Sequence, residues 1–461
     1  MFSRVSRDIS FYKSVLALAG PLMLQNLVNS SLVMFDNFMV SSLGEAPLAG
    51  VTLANTVFFV AMLINFGVQS GCTILISQYW GKGDRASINR ILGIGFGISG
   101  SISLLISLAV TFFARQIYSF TTSDPELVRI ASDYARIAAF TGFFNSMALL
   151  YISAQRSMGN TLPGMVILCV STVTNTIMNW LLIYGNLGFP RMGVEGAALA
   201  TLLSRALELA LTAAYAFRAR NFRLDFKFML RPGMIMFKDF IKYSLPVLIN
   251  ETMWSIGFSM YSVIFGHMPN ASAGIAAYTI TQTIERLLSA LYFGFGNVAA
   301  VFVGKPLGAG DYDGAHTAGV TMLFFSVALG VVSGLIMFAL TITLIIPVIY
   351  PLLGAAEETV RTGRYMLFFS AASLPFRAFN FCNIVGVLRG GGDARAGMLL
   401  DLSSVYLFAL PLTALTGLVL HLPFIVVYAV ISLEEVVKVV ASYWRFSQKK
   451  WLKNVTRDLP A

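Results

Sequence analysis

Between Val51 and Trp80 the chain runs thirty residues without an Asp, Glu, Lys or Arg. Ile91–Phe113 is likewise uncharged, and Ser14–Met39 holds one charge, Asp36. The hydrocarbon core of a bilayer takes about 20 apolar residues per helix, and these runs meet that length. A soluble fold of 461 residues has no interior large enough to hide them. Only 12% of the residues are charged, against roughly 25% in soluble domains. The net charge of +10 does not mark a nucleic-acid-binding protein, because the basic residues sit in short loops rather than along one face. Cys72, Cys169 and Cys382 lie inside apolar runs without metal-ligand spacing and read as small core residues. Met1–Tyr12 is polar and basic, and the apolar run after it is too long for a removable signal peptide. That run is expected to be the first membrane helix.

The pattern predicts an all-α membrane protein of twelve transmembrane helices in two six-helix lobes. The expected spans are 13–38, 50–78, 91–113, 131–154, 162–185, 193–217, 239–265, 274–303, 317–349, 363–387, 396–419 and 423–443. The ninth is over-long and is expected to break near Pro347. With the N-terminus inside, most of the 32 Lys and Arg fall in inner loops and termini. The outer segments, with the flanking residues of the spans, hold about six: Arg115, Arg129, Arg136, Arg191, Arg361 and Arg364. This asymmetry places both termini in the cytoplasm and the chain, multi-pass, in the plasma or inner membrane. The basic loop 218–238 separates an N-terminal lobe, 1–217, from a C-terminal lobe, 239–445, and residues 446–461 form a cytoplasmic tail. The halves read as a parallel repeat. Pro21 of PLMLQN matches Pro246 of PVLINE, Gly81–Asp84 matches Gly308–Asp311, and Arg156–Gly159 resembles Arg389–Gly392. Such repeats flank a central cavity.

Charged and amide side chains within spans are costly in lipid and are candidates for function. Asp36 lies near the outer end of the first span. Asn175 and Asn179, four apart, share a face of the fifth, and Ala197 and Thr201 share a face of the sixth. By helical rise Asn179 and Thr201 fall in the outer half, as Asp36 does. A carboxylate, two amide oxygens, a hydroxyl and a backbone carbonyl suit a hard monovalent cation. The plainer alternatives are a headgroup-level carboxylate at Asp36, and Asn and Thr side chains that join helices by hydrogen bonds. A second cluster is Glu251 in span 7 with Glu285 and Arg286 in span 8. Glu251 and Arg286 lie at similar depth and are expected to pair, as a substrate or second proton site or as a structural ion pair. Arg205 and Glu208 read as a structural pair. Arg377 and Asp401 show no clear partners, and Glu434 and Glu435, beside Lys438, read as interfacial. There is no nucleotide-binding loop, nucleophile elbow or histidine cluster, so neither an enzyme nor a cofactor is expected.

In the order and spacing of its motifs the chain resembles the multidrug and toxic compound extrusion family. The stretches that carry the resemblance are Ala19–Pro21 with the run to Asp36 and Gly44, GKGDRASINR from Gly81, QRSMGNTLPGM around Arg156, TNTIMNWLLIYG from Thr174, GVEGAALAT from Gly193, VGKPLGAGDYDGA from Val303 and VLRGGGDARAG from Val387. The resemblance implies two lobes, alternating access, and export of cationic or amphipathic small molecules in exchange for Na⁺ or H⁺ by a monomer surrounded by membrane lipid. It implies a cation site at Asp36, Asn175, Asn179, Ala197 and Thr201. Asn179 stands where many prokaryotic members carry Asp. Trp254 stands where span 7 usually carries an acid, and Ala378 and Asn380 occupy a stretch of span 10 where some members carry one. The competing readings are a lipid or lipid-linked sugar flippase, which calls for a cationic cavity, a channel, and a membrane enzyme, for which no reactive constellation is visible.

Overall fold

The computed structural model describes residues 5, 6, 8–269 and 271–458, and these are helical with short connections. In chain order the helices are α1 (Ile9–Ser41), α2 (Glu45–Lys82), α3 (Arg85–Ser119), α4 (Pro125–Ala138), α5 (Thr141–Ser157), α6 (Leu162–Tyr184), α7 (Val194–Arg218), α8 (Phe226–Leu230), α9 (Met234–Gly266), α10 (Ala271–Gly308), α11 (Tyr312–Leu340), α12 (Tyr350–Leu352), α13 (Glu357–Phe381), α14 (Ala394–Ser403), α15 (Leu410–Ala414) and α16 (Phe424–Ser447). Among the described residues nine helical runs are long and apolar enough to cross a membrane. A tenth is the pair α4–α5, bent by 45°. The bend has local causes. Thr141 Oγ1 donates to the Ala138 carbonyl at 2.6 Å and Ser107 Oγ to the Ala139 carbonyl at 2.7 Å, so side chains take carbonyls at the joint. α9 and α16 are of similar length but carry more polar and charged residues.

Two of the repeated motifs have one structural meaning. Gly83 and Gly310 both adopt φ of +82°, closing the preceding helix with a left-handed residue. The next residue caps the following helix: Asp84 accepts from Ser87 N at 2.9 Å, and Asp311 from Gly314 N at 2.8 Å. A glycine followed by aspartate therefore makes the same tight helix-to-helix turn in each half.

The expected break near Pro347 takes a gentler form. Thr341–Ile349 widens into a π-helical stretch containing Pro347, and the run continues through α12. A proline removes a backbone donor and crowds the preceding turn, which a wider turn accommodates. Further π turns lie at Cys382–Leu388, Ser404–Ala409 and Leu415–Val419.

The chain divides into two compact units. One comprises residues 27–248 with 457–461, the other 1–26 with 249–456, so the divisions fall inside α1 and α9, shortly after Pro21 and Pro246. The first unit is cored by Val51, Ala54, Val110, Tyr118, Tyr134 and Ile183. Here α6 and α7 approach closely, because a Cβ on Gly196 would lie 2.6 Å from the Leu182 carbonyl oxygen. In the second unit Val15, Ala19 and Leu22 of α1 share a core with Phe295, Val387 and Trp451. Trp451 is fully buried, donates to the Phe446 carbonyl at 3.0 Å and stacks on Phe446. Its ring and carbonyl crowd Gly391, where a side chain would collide with them. Gly391 and Gly392 thus leave room for the segment after α16, and Gly390 for the backbone of α10 at Ala300.

A candidate cation site and a buried ion-pair network

In the unit of residues 27–248, Asp36 sits half-buried on α1. Asn179 of α6 donates through Nδ2 to Asp36 Oδ1 at 2.7 Å and to Asn175 Oδ1 at 3.2 Å. Asn175 Nδ2 in turn reaches Thr201 Oγ1 of α7 at 3.5 Å and Ser204 Oγ at 3.4 Å. Thr201 Oγ1 donates to the Ala197 carbonyl at 2.9 Å. The five residues expected from the sequence therefore converge, and Tyr134 of α4 joins them through Thr201. The local reason is helical spacing: Asn175 and Asn179, like Ala197 and Thr201, lie one turn apart on facing helices. The carbonyl oxygen of Asn179 is buried and accepts no hydrogen bond among the described residues. Leaving a buried acceptor unmade costs roughly 1–3 kcal/mol, so this oxygen is under-bonded where a cation would help most. Among the described residues no three His, Cys, Asp or Glu side chains gather as for a multivalent metal. The donor set here is one carboxylate with neutral oxygens, which matches a monovalent ion. One turn further along α7, Arg205 and Glu208 pair at 2.5 Å, as expected, with Glu208 fully buried and Ser171 also donating to it.

The other unit handles charge differently. Glu251 does not pair with Arg286. It is bound by Arg389 at 2.9 Å, and Arg389 is 2% exposed. Arg286 is exposed on α10. Neighbouring helical residues point about 100° apart, so turning Glu285 inward turns Arg286 out. Glu285 is held by Arg377 at 2.7 Å, by Tyr428 at 3.2 Å and by the Ser370 hydroxyl. Arg377 also faces Glu435 at 3.9 Å, and Asn380 donates to Glu435 at 2.9 Å. Asp401 has two partners, Lys438 at 2.9 Å and Asn250 at 3.0 Å. Lys438 also binds Glu434 at 2.8 Å. The expectations that Arg377 and Asp401 stand alone and that Glu434 and Glu435 are interfacial are therefore corrected. Glu434 is buried, because α16 packs this face against α13, α14 and the π turn after it.

The MatE family model matches residues 21–181 and again residues 246–415. The chain belongs to the MatE family. This makes it a multi-pass membrane transporter. It is 22% identical to the uncharacterized transporter YisQ of Bacillus subtilis (strain 168) over 92% of this chain and 93% of that one. It is 27% identical to the probable multidrug resistance protein NorM of Rhizobium meliloti (strain 1021), over 71% of this chain and 70% of that one. Among solved structures, the eukaryotic MATE transporter AtDTX14 superposes with a TM-score of 0.82 at 20% identity, covering 96% of this chain and 97% of that one. A MOP superfamily transporter from Pyrococcus furiosus gives 0.85 at 19% identity, covering 95% and 96%.

Within this MatE chain, sequence reasoning reached the Asp36 constellation but missed Ser204, Tyr134 and the Lys438 centre. Ser204 was signalled by falling three after Thr201 on the same face. Lys438 was signalled by its i, i+4 spacing from Glu434 inside an apolar helix. Nothing local marks Tyr134, which lies on a different helix and meets the site only through the fold.

Proposed function

We propose that this chain is a cation-coupled antiporter that exports cationic or amphipathic small molecules, with the coupling ion carried at Asp36. The observation that carries the reading is the contact of Asp36 with Asn179, whose own oxygen is buried and lacks a donor. Asn175, Thr201 and the Ala197 carbonyl complete a shell of oxygens around one carboxylate, which favours Na⁺ over a bare proton. The reading includes twelve spans in two six-helix lobes, 1–217 and 239–445, joined by 218–238, with both termini cytoplasmic and alternating access between the lobes. The doubled family match and the strength of the Lys and Arg asymmetry support it. A multidrug substrate range is supported by the likeness to the probable multidrug resistance protein of Rhizobium meliloti. In the C-terminal lobe we assign Glu251, Glu285 and Arg286 to substrate or a second proton, the two acids from within ion pairs and Arg286 from an exposed position. The flippase reading is weaker, since Arg205 and Arg377 are neutralised by Glu208 and Glu285. The test is efflux of cationic dyes from proteoliposomes at fixed pH, with a Na⁺ gradient imposed and a protonophore present. Efflux that ignores Na⁺ and follows only a pH gradient would make Asp36 a proton carrier instead.

A further inference from the structure

The doubled family match supplies a register between the halves. It begins at Pro21 in α1 and at Pro246 in α9, and ends at Leu181 in α6 and at Leu415, just past α15. α9 is thus the counterpart of α1, and the run α14–α15 the counterpart of α6. The helices that follow, α7 and α16, then correspond. In one unit α1, α6 and α7 carry Asp36, the two asparagines and Thr201. In the other unit the equivalent helices carry Asn250 and Tyr261 on α9, Asp401 and Ser404 at the end of α14, and Glu434 and Lys438 on α16. Each trio is centred on a carboxylate gripped by an amide: Asn179 on Asp36 at 2.7 Å, Asn250 on Asp401 at 3.0 Å. The difference lies in the base on the last helix: Arg205 of α7 is bound to Glu208 and acts on Asp36 only from a distance, whereas Lys438 of α16 bridges two acids directly.

We propose that Asn250, Asp401 and Glu434 form a second monovalent-cation pocket, which the chain fills itself with the Lys438 ammonium in place of an ion from solution. Four observations carry this. Lys438 Nζ lies between the two acids, 2.9 Å from Asp401 Oδ1 and 2.8 Å from Glu434 Oε1, with 6% of its side chain exposed. The donors around the acids are otherwise neutral: Asn250 on Asp401, and Tyr261 at 3.3 Å and Ser404 at 3.2 Å on Glu434. Asn250 is 2% exposed, and its carbonyl oxygen, on the same amide that holds Asp401, accepts nothing among the described residues. Like the Asn179 oxygen of the other unit, it is a buried amide oxygen left unmet beside a carboxylate, although it stands on a different helix of its trio. Finally, two carboxylates share one ammonium, so the pocket keeps a negative balance and a strong demand for a positive charge. Cutting Lys438 back to a methyl group leaves that demand and removes its tethered answer. Two buried carboxylates without a cation are too costly to persist, and a free cation of similar charge satisfies them.

The proposal goes beyond the Asp36 assignment, and its test is run in an Asp36→Asn background so that the two stand or fall separately. The readout is the thermal midpoint of the full purified chain in detergent at fixed pH, with NaCl exchanged for choline chloride at constant ionic strength. Asp36→Asn alone is expected to be indifferent to Na⁺, because Lys438 fills the remaining pocket. Asp36→Asn with Lys438→Ala is expected to gain a saturable Na⁺-dependent rise of at least about 2 °C. Methylammonium should substitute for Na⁺, and adding Asp401→Asn should abolish the response. A folded double variant that ignores Na⁺, or that is stabilised only by acid, overturns the proposal, as does a Na⁺ response in Asp36→Asn alone. If Lys438→Ala fails to fold, Asp401→Asn in the otherwise native chain decides. Equilibrium dialysis with radioactive Na⁺ should then show the same number of bound ions as the native protein, and loss of an ion overturns the self-filled pocket.

Discussion

The two units solve the problem of charge inside a membrane in opposite ways. Asp36 stands among neutral amide and hydroxyl groups, beside a buried acceptor with no donor among the described residues, and the nearby base, Arg205, is taken up by Glu208. In the other unit five acids, Glu251, Glu285, Asp401, Glu434 and Glu435, are interlaced with three bases, Arg377, Arg389 and Lys438. The first arrangement is incomplete, which is the ground for proposing that it exchanges a cation. In the second every acid has a base or a hydrogen-bond donor on it, although Arg377 Nε, Arg389 Nη1 and Asn250 Oδ1 make no hydrogen bond among the described residues, and such a network mainly fixes the positions of its helices. What the comparison teaches is that the number of charges in a membrane helix bundle is a poor guide to where an ion is carried. A better guide is whether a carboxylate has a base bound to it, as Asp401, Glu251 and Glu285 do and as Asp36, among the described residues, does not.

The largest effect separating the two units is expected at Asp36. Asp36→Asn should reduce gradient-driven efflux in proteoliposomes to the passive leak while leaving insertion and folding intact. Retained gradient-driven efflux would erase the proposed division of labour. Next come the ion pairs of the other unit. Glu285→Gln should cost less than Arg377→Met, because Arg377 keeps Glu435 as a second partner. Arg377→Met alone strands buried Glu285 and should cost about 3–5 kcal/mol. The double variant should recover much of that loss in a thermal-unfolding cycle. Glu251→Gln combined with Arg286→Ala should instead be additive, since Glu251 is bound by Arg389; strong coupling there would contradict the observed pairing. Smaller again are the neutral ligands. Asn175→Ala and Asn179→Ala should each weaken cation affinity by about 3–10-fold, measured by titration, because a neutral oxygen contributes less than a carboxylate.

The smallest effect is expected at an exposed pair outside both networks. Lys82 binds Asp458 at 2.7 Å and holds its carboxyl below the usual carboxylate range. A depressed pKa stabilises the fold above the unfolded value, near 4, and that contribution disappears as pH falls through the folded value. Asp458→Asn should therefore lower the thermal midpoint only slightly at neutral pH and not at all in acid. Fully exposed pairs contribute little, and a large shift would mean this segment has a role the pair alone does not explain.

Much of this was legible in the sequence, and the boundary of legibility is physical. The apolar runs announced membrane helices because lipid tolerates few alternatives. The asparagines and Thr201 were legible because helical periodicity puts residues four apart on one face. The pairing of Glu251 was not, because depth along a helix says nothing about rotation around it. Glu285 and Arg286 sit at one depth and face different ways. Glu434 read as interfacial because it stands next to another acid and near Lys438, a pattern shared by solvated helix ends. Only the packing of α16 reveals that this face is internal.

The division inside α1 has a consequence for synthesis. Residues 1–26 belong with 249–456, and the core they share also contains Trp451. A chain made from its N-terminus can therefore finish the unit of residues 27–248 early, apart from the short segment after 456. The core that the opening half of α1 joins is not made until well over two hundred further residues have been added. At about 5–20 residues per second, that is a wait of roughly 10–45 s with an apolar half-helix uncommitted. The last large side chain of its core, Trp451, arrives only after α16 has been inserted. During that interval the segment is exposed to capture by lipid, by insertion machinery or by the wrong helix, and Val15, Ala19 and Leu22 are where slow or faulty assembly should first be felt.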